Sequence, residues 1–290
     1  MIKPFLKSAL LIAGPTASGK SALAIAEAKR RNGVIINADS MQVYRELRLL
    51  TARPSLEEEA MVPHKLYGHV SGSEKYSVAG WLRDVETEMA RCWQAGQLPI
   101  LCGGTGLYFK AALEGLAEVP PIDPAVREKW RNFPGDVHQP LTRLDPETAA
   151  RLNPADRQRI VRALEVIEGT GQTLRHWQDV GHTTALLNQI NVERVFVGVS
   201  REVLHQRAEQ RFDQMMEQGA LAEVKALPAF DPTQPLMKAI GVPELLAHLR
   251  GEISRDEAKL RAKAATRQYI KRQTTWWRGQ MQGWTTFTPA

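Results

Sequence analysis

The feature that most constrains this chain is a glycine-rich loop near its start, Gly14-Pro15-Thr16-Ala17-Ser18-Gly19-Lys20-Ser21. The loop has the pattern GxxxxGK[ST], follows an apolar run at 8–13, and precedes a segment with helical periodicity. In that context backbone N–H groups point at phosphate oxygens, and the helix N-terminus adds positive potential. Lys20 supplies a mobile charge, and the Ser21 hydroxyl is placed to hold Mg²⁺. The loop therefore predicts a site for a diphosphate or a phosphate ester, nucleotides such as ATP included.

Strand and helix signals alternate around this loop. Short apolar runs at 8–13, 34–36, 98–102 and 194–199 predict strands, and helical patterns cover 18–31, 78–95 and 203–227. Buried strands separated by helices are typical of a parallel sheet. We therefore predict an α/β fold with a P-loop NTPase-like parallel sheet core.

The pattern changes after Leu116, where prolines interrupt the chain and strand signals vanish for roughly seventy residues. This stretch contains a predicted helix from Pro154 to Glu168, with Asn153 as its cap and Gly169 at its exit. We predict three parts: the first part of the P-loop α/β core over 1–117, a helical insertion domain over 118–190, and the core completion with basic C-terminal helices over 191–290.

Composition narrows the class of protein. Apolar residues form 43% of the 290 residues, which is enough for a sizeable core, and no apolar run near the start is long enough for a membrane span or a signal peptide. Cys92 and Cys102 lack CxxC partners and are expected to be buried thiols rather than disulfide or zinc ligands. We expect a cytoplasmic, monomeric protein that makes no membrane contact.

Two polar positions follow predicted strands at the sheet edge where such folds bind ligands. Asp39 ends the second strand and is either a magnesium-holding carboxylate or a general base facing an acceptor. Thr105, within Gly103-Gly104-Thr105-Gly106, offers a hydroxyl beside the phosphate site, although a threonine cap in a tight turn explains it equally well.

Arginines and lysines suggest a polyanionic partner. Arg159 and Arg162 are three apart and suit phosphates or base edges, unless they are merely solvated. Arg211 lies one turn after Arg207 and could reach back to a phosphate. Between 258 and 278 there are seven basic and no acidic residues, with Lys259, Lys263, Arg267 and Lys271 spaced every four. This basic ridge is either a nucleic-acid surface or a solvated helix face.

Aromatic residues lie among these charges. Tyr269, Trp276 and Trp277 could stack on bases, although paired tryptophans more often pack onto a protein core.

The chain resembles the bacterial tRNA dimethylallyltransferase family over nearly its whole length. The resemblance is carried by the blocks GPTASGKS, NADSMQVYREL, PHKLYGHV, LCGGTGLYFKAALEG, LNPADRQRIVRALEVIEGTG and TRQYIKRQTTWWR. It implies transfer of a dimethylallyl group from dimethylallyl diphosphate to N6 of adenosine 37, beside the anticodon of certain tRNAs. It also implies Mg²⁺ as a cofactor and the tRNA anticodon stem-loop as a partner.

The resemblance also implies roles for individual residues. Asp39 matches the family's general base, and Thr105 and Arg211 complete the implied catalytic set. Residues 14–21 would hold the diphosphate, with Mg²⁺ at Ser21. The implied tRNA-contacting positions are Asp39, Ser40, Met41, Gln42, Thr105, Arg127, Gln158, Arg159, Ile160, Val161 and Arg162.

Three other functions compete with this one. An isopentenyltransferase acting on free AMP or ADP would share the loop and the base, but a mononucleotide needs neither a helical insert nor a basic tail. An ATP-dependent small-molecule kinase leaves the same features unexplained. A non-catalytic RNA-binding protein would need neither an intact phosphate loop nor a carboxylate at the sheet edge.

Overall fold

A computed structural model describes residues 7–280 and 282–289 of the chain. Contacts divide the chain into two compact units. Unit 1 comprises Met1–Ala112 and Leu187–Ala290, and unit 2 comprises Leu113–Leu186. The strands all belong to unit 1, so unit 2 is built from helices and loops.

Unit 1 is organised around a sheet whose six described strands are all parallel. The strands are β1 (Ser8–Ala13), β2 (Gly33–Asn37), β3 (His64–Lys65), β4 (Leu98–Gly103), β5 (Asn191–Val197) and β6 (Thr285–Phe287). Their order in the sheet is β3-β2-β4-β1-β5-β6. Strand β1 therefore lies between β4 and β5, with Leu10 opposite both Ile100 and Glu193. The predicted P-loop NTPase-like α/β core is confirmed.

Helices surround this sheet. In unit 1 they are α1 (Lys20–Arg31), α2 (Leu56–Met61), α3 (Val78–Gln94), α4 (Gly106–Glu114, which crosses into unit 2), α10 (Arg201–Glu217), α11 (Ala220–Lys225), a 3₁₀ turn (Pro235–Lys238), α12 (Val242–Leu249) and α13 (Arg255–Gln280). Ser77 caps α3 by accepting a hydrogen bond from the N–H of Gly80 at 3.0 Å. A core cluster packs β1, β2 and β4 against α1, which fixes the start of α1 at the carboxyl edge of the sheet.

Unit 2 contains α5 (Pro124–Arg131), α6 (His138–Leu144), α7 (Pro146–Arg151), α8 (Arg157–Thr170) and α9 (Leu174–Val180). It has its own apolar core, in which Trp130, Leu141 and Leu164 are buried. A separate core is what a unit needs in order to be compact by itself.

Helix α8 begins three residues later than predicted and ends two residues later. Asn153 and Pro154 form a preceding turn, in which the Asn153 side chain accepts from the N–H of Ala155. Asp156 is the actual cap and accepts from the N–H of Arg159. The helix ends at the left-handed Gly171, with φ of 72°, so Gly169 lies inside it.

The long helix predicted over 203–227 is wrong as a single element. The chain forms α10 and then α11, and the break is at Gly219, whose φ of 107° cannot continue a right-handed helix. The preceding strand is also shifted: β5 starts at Asn191 and ends at Val197, before Ser200 caps α10. Short strands β3 and β6 carry no alternating pattern that would have predicted them.

The cysteines are free and buried, as predicted. Burial raises the pKa of the Cys92 thiol to about 11 and that of the Cys102 thiol to about 12, so both remain protonated at neutral pH. Across residues 7–280 and 282–289, the side chains of His, Cys, Asp and Glu form no group of three or more able to hold a metal ion. In the same ranges no helix is both long enough and apolar enough to cross a membrane.

Candidate active site

The glycine-rich loop turns tightly between β1 and α1. Ala17 has a φ of 63° and Gly19 a φ of 91°, so two left-handed residues bend the backbone within three positions. A Cβ at Gly14 would lie 2.7 Å from the Oγ of Ser18 and 3.1 Å from the carbonyl oxygen of Val197. Glycine is therefore needed at position 14, and a strained non-glycine residue at 17 is typical of a functional loop. Such turns bring successive N–H groups towards an anion.

Lys20 and Ser21 are the first residues of α1. The Nζ of the half-buried Lys20 donates to the carbonyl oxygen of Pro15 at 3.3 Å, so the ammonium group lies over the loop. Burial lowers the pKa of Lys20, and the Arg211 guanidinium acts in the same direction. Ser21 is exposed and lines a cavity of about 580 Å³, which we call the loop cavity. Positive charge and a hydroxyl thus face the same space.

The loop cavity is rich in cations. Its lining includes Lys20, Arg48, Arg53, Arg207 and Arg211, together with the carboxylates of Glu57 and Glu58. Both Arg207 and Arg211 come from α10, one turn apart, as their spacing predicted. A cavity with this charge suits a multiply charged phosphate ligand.

A second, smaller cavity of about 260 Å³ opens at the carboxyl edge of the sheet; we call it the edge cavity. Thr16, Asp39, Ser40, Met41, Tyr269 and Arg272 belong to its lining. Arg211 and Met215 line both cavities. A guanidinium that belongs to both cavities can contact an anion in one of them while a second molecule occupies the other.

Arg211 reaches the glycine-rich loop directly, because its Nη2 donates a hydrogen bond to the Oγ1 of Thr16. Burial lowers the pKa of Arg211, although Asp39 partly opposes the effect. An arginine remains charged in proteins even so. The prediction that Arg211 could reach back from α10 to the phosphate site fits this contact.

Asp39 lies immediately beyond β2, and its turn is held by the buried side chain of Asn37. The Oδ1 of Asn37 accepts from the N–H of Asp39 at 2.9 Å, while its Nδ2 donates to the Asp39 carbonyl at 2.9 Å. The Asp39 Oδ1 in turn accepts from the N–H of Met41 at 2.9 Å. The carboxylate is thereby fixed with its face towards the edge cavity.

Thr105 joins the loop after β4 to the loop after β2. Its Oγ1 accepts from the N–H of Ser40 at 2.9 Å and donates to the Ser40 hydroxyl at 3.3 Å. A Cβ at Gly103 would lie only 2.0 Å from the carbonyl oxygen of Ala38, so glycine allows the two loops to touch. The Thr105 hydroxyl thus binds the loop after β2 rather than capping α4; we call this loop, which spans residues 38–42 and carries Asp39, the acidic loop.

The other residues of the acidic loop differ in what they can offer a ligand. Ser40 and Met41 line the edge cavity. The Nε2 of Gln42 donates to the carbonyl oxygens of Thr51 and Ala52, at 2.8 and 2.9 Å. The Gln42 amide therefore holds the acidic loop against the segment at Thr51 and Ala52.

The predicted tRNA-contacting residues of unit 2 fall into two groups. Gln158 and Arg159 are exposed, and Arg127 and Arg162 are half-buried. The side chains of Ile160 and Val161, by contrast, are 0% and 8% exposed and belong to the unit 2 core. These two side chains pack inwards on α8, and contact of their positions with tRNA stays a prediction.

The arginines of α8 have acidic neighbours on the same helix. Arg159 pairs with Asp156 at 3.3 Å, and Arg162 pairs with Glu165 at 3.6 Å. Arg127 has a buried Nε with no hydrogen-bond partner in the described part of the chain. The Arg159 pair is exposed and therefore weak, so it leaves that guanidinium accessible to phosphates. Arg162, by contrast, pairs with a buried carboxylate that also binds Arg131, and its own side chain is 41% exposed.

The basic ridge of α13 is not the isolated positive surface that its sequence suggested. Lys259 and Lys263 pair with Asp213 of α10 at 2.9 and 2.6 Å, and Arg267 pairs with Glu209 of the same helix. Acidic residues distant in sequence thus neutralise much of the ridge. These three ion pairs connect α13 to α10.

The aromatic residues among these charges differ in their environment: one is buried in the core and another lines the edge cavity. Trp277 is buried and packs edge-on against Phe109 and Trp276, which confirms the core alternative for that residue. Tyr269 lines the edge cavity, with the Arg272 guanidinium 5.7 Å above its ring. Tyr269 is therefore available to a ligand near Asp39.

Sequence reasoning missed several residues of this site. Asn37 and Gln273 are buried amides that fix its loops, and Arg272 and Lys238 add positive charge to the edge cavity. Arg272 belongs to the basic tail and could have been singled out by its proximity to Tyr269. The amides could not, because nothing in a pattern distinguishes a buried glutamine from an exposed one.

Comparison with known proteins identifies the family of this chain. The model of the IPP transferase family matches residues 42–280, and that of the isopentenyl transferase family matches residues 7–67. A tRNA dimethylallyltransferase of Azorhizobium caulinodans is 52% identical over 97% of this chain and 92% of the relative.

Solved structures give the same result. A tRNA isopentenylpyrophosphate transferase of Bacillus halodurans is 33% identical, with a TM-score of 0.68 over 97% of this chain and 90% of that one. A eukaryotic dimethylallyltransferase acting on tRNA is 28% identical, with a TM-score of 0.82 over 97% of this chain and 74% of that one. The resemblance found in the sequence is confirmed: the chain belongs to the IPP transferase family.

Proposed function

We propose that this protein transfers the dimethylallyl group of dimethylallyl diphosphate to N6 of adenosine 37 in tRNA and releases diphosphate. The observation that carries the proposal is that Asp39 and Arg211 line the same edge cavity, while Arg211 also lines the loop cavity with Lys20. A carboxylate for the acceptor and cations for a leaving diphosphate thus lie on either side of one guanidinium.

The donor occupies the loop cavity. Its diphosphate is bound by backbone N–H groups of the glycine-rich loop around Gly19, by Lys20 and by Arg211, which stabilise the charge that develops as the C–O bond breaks. The Ser21 hydroxyl, which lines the loop cavity, is a suitable ligand for Mg²⁺. One protein ligand is enough, because Mg²⁺ is held mainly by water and by substrate phosphates. When bound, Mg²⁺ supplies further neutralisation of the diphosphate.

The acceptor adenine enters the edge cavity. An exocyclic adenine amine is a weak nucleophile, so Asp39 takes its proton as the new N–C bond forms. The electron pair of the breaking C–O bond leaves with the diphosphate, which balances the step. Thr105 acts by fixing the acidic loop through Ser40, and Tyr269 offers a ring on which the extruded base can stack.

The remaining tRNA contacts come from Ser40 and Met41 and from Arg127, Gln158, Arg159 and Arg162 of the predicted insertion domain. Support comes from the exposure of Gln158 and Arg159 and from the partial exposure of Arg127 and Arg162. Because phosphate contacts position a nucleic acid, these side chains would set the register of the anticodon stem-loop. We place the reaction in the cytoplasm, with the enzyme acting as a monomer.

The rival functions explain fewer features. Free AMP or ADP as acceptor, or a small-molecule kinase, would leave the exposed arginines of α8 without a role. Names of relatives favour a tRNA acceptor, because both the Azorhizobium protein and the solved structures are described as acting on tRNA.

The test is to incubate the wild-type protein and the Asp39→Asn variant with unmodified tRNA, radiolabelled dimethylallyl diphosphate and Mg²⁺. We expect label in the RNA with the wild-type protein and little with the variant. RNA that stays unlabelled with a folded wild-type protein would contradict the proposal.

A further inference from the structure

Gln273 is a buried amide in a helix whose neighbouring positions face solvent. It lies in α13 and is 6% exposed, whereas Lys271 and Arg272 beside it are exposed. A buried polar side chain is costly unless its hydrogen bonds are satisfied. Its partners therefore indicate why an amide is present there.

Both ends of the Gln273 amide contact active-site loops. The Oε1 accepts from the N–H of Thr16 at 2.9 Å, and the Nε2 donates to the carbonyl oxygen of Gly104 at 3.0 Å. Thr16 belongs to the phosphate loop after β1, and Gly104 to the loop after β4. One side chain thus connects two loops that are 88 positions apart in sequence, at 16 and 104.

The approach requires glycine at position 104. A Cβ there would lie 2.5 Å from the Nε2 of Gln273 and 3.7 Å from the Oδ2 of Asp39. The first distance is far below any normal contact, so the absence of a side chain at 104 and the amide at 273 are matched to each other.

Each end of this connection leads to a residue placed in the reaction. Thr16 accepts the hydrogen bond of Arg211, the cation shared by the two cavities. Gly104 precedes Thr105, whose hydroxyl holds the N–H of Ser40 in the acidic loop. Gln273 therefore joins the donor side of the site to the acceptor side without itself lining either cavity.

We propose that Gln273 is a positioning residue that sets the distance between the diphosphate-binding loop and the loop carrying the base; this inference rests on the proposed function. The role needs a side chain that is donor and acceptor at once. Glutamate would lose the donor to Gly104, and methionine would lose both hydrogen bonds at similar volume. Misplacement of reacting groups by about 1 Å can cost roughly 10²-fold in rate.

The experiment compares Gln273→Met with Gln268→Met, a matched change at an exposed position of the same helix. For each variant, kcat and KM for tRNA are measured by label transfer from dimethylallyl diphosphate, and folding is followed by thermal unfolding. We expect kcat of Gln273→Met to fall by about 10- to 100-fold. KM for tRNA should stay unchanged, and Gln268→Met should behave as wild type.

A Gln273→Glu variant covers the case in which methionine prevents folding. It keeps the volume and the acceptor for Thr16, and we expect it too to lower kcat with KM for tRNA unchanged. A folded variant of either kind with wild-type kcat overturns the inference, as does failure of both variants to fold. If the wild-type protein itself transfers no label to tRNA, the proposed function fails and this inference fails with it.

Discussion

Arg211 donates a hydrogen bond to the hydroxyl of Thr16, across 195 positions of sequence. The contact fixes a guanidinium from α10 at the glycine-rich loop, between two cavities that hold different kinds of side chains. Because charge stabilisation is strongest where groups are already in place, this arrangement suits a reaction that expels an anion.

Asp39→Asn removes proton affinity while nearly preserving shape, so it separates the two roles that Asp39 could have. As a general base, Asp39 should contribute about 10²–10⁴-fold to turnover, with little change in binding of tRNA or donor. Steady-state transfer and equilibrium binding measure the two effects. A large loss of donor affinity that extra Mg²⁺ restores would assign Asp39 to the metal instead.

Lys20→Ala should weaken use of dimethylallyl diphosphate and slow transfer, because the leaving group loses a cation. Lys29→Ala is the matched control, since Lys29 is an exposed lysine on the same helix. Initial rates at varied donor concentration provide the comparison. Equal rates for the two variants would remove Lys20 from the mechanism.

The lowered pKa of Lys20 should make kcat/KM for the donor depend on pH. Burial lowers its pKa, so in the free enzyme the ammonium loses its proton at a lower pH than an ordinary lysine does. The value of kcat/KM for the donor should therefore decline on the alkaline side. Lys20→Arg keeps its charge and should abolish that decline. A pH profile unchanged by the substitution would assign the decline to another group.

The arginines of α8 should contribute to tRNA binding through phosphate contacts. Arg159→Ala combined with Arg162→Ala should weaken binding and lower the salt slope by roughly one counterion for each lost contact. Arg175→Ala, at another half-exposed arginine of unit 2, is the control. Salt titrations of tRNA binding give the slopes. An unchanged slope would mean that α8 does not meet RNA phosphates.

The basic ridge of α13 should behave differently. Lys259 and Lys263 both pair with Asp213, so their replacement by alanine should leave the salt slope of tRNA binding nearly unchanged. It should instead lower the free energy of unfolding, by about 0.2–1 kcal/mol for each exposed pair. Thermal and urea unfolding beside the salt titration test both statements. If the replacements lower the salt slope of tRNA binding but leave the free energy of unfolding unchanged, the ridge is an RNA-binding surface.

The Asp213 pair also has a defined pH window. Hydrogen bonds from Lys263 and Lys259 lower the pKa of Asp213 in the folded protein below its ordinary value of 3.8. The stabilisation is therefore fully present above that ordinary value and is lost as the pH falls through the lowered one. Asp213→Asn should narrow the stability difference between neutral and acid pH, as measured by urea unfolding.

The phosphate loop, the parallel sheet and the positions of Asp39 and Arg211 could be predicted because local signals specify them. Gly14 and Lys20 belong to a fixed pattern, and parallel strands bring their carboxyl ends to one edge. The pairing of Lys263 with Asp213 could not be predicted, because the partner lies 50 positions away on another helix. A count of charges within one segment does not include acidic residues that become neighbours only after folding.

The ends of the helices and the buried amides could not be predicted from the sequence either. The break at Gly219 depends on a left-handed conformation that many helical glycines do not adopt, and Asp156 competed with Asn153 for the cap of α8. Gln273 satisfies two backbone groups that become neighbours only after folding. Such contacts follow from tertiary packing rather than from local periodicity.

The enzyme is expected to transfer the prenyl group to tRNA without using ATP. The most direct measurement supplies wild-type protein with labelled dimethylallyl diphosphate, Mg²⁺, unmodified tRNA and free AMP together, with no ATP, and analyses the nucleosides of the recovered RNA. We predict that the label appears in tRNA as N6-dimethylallyl adenosine beside the anticodon, with AMP left unmodified. Label found in AMP, or transfer that requires ATP hydrolysis, would contradict the account.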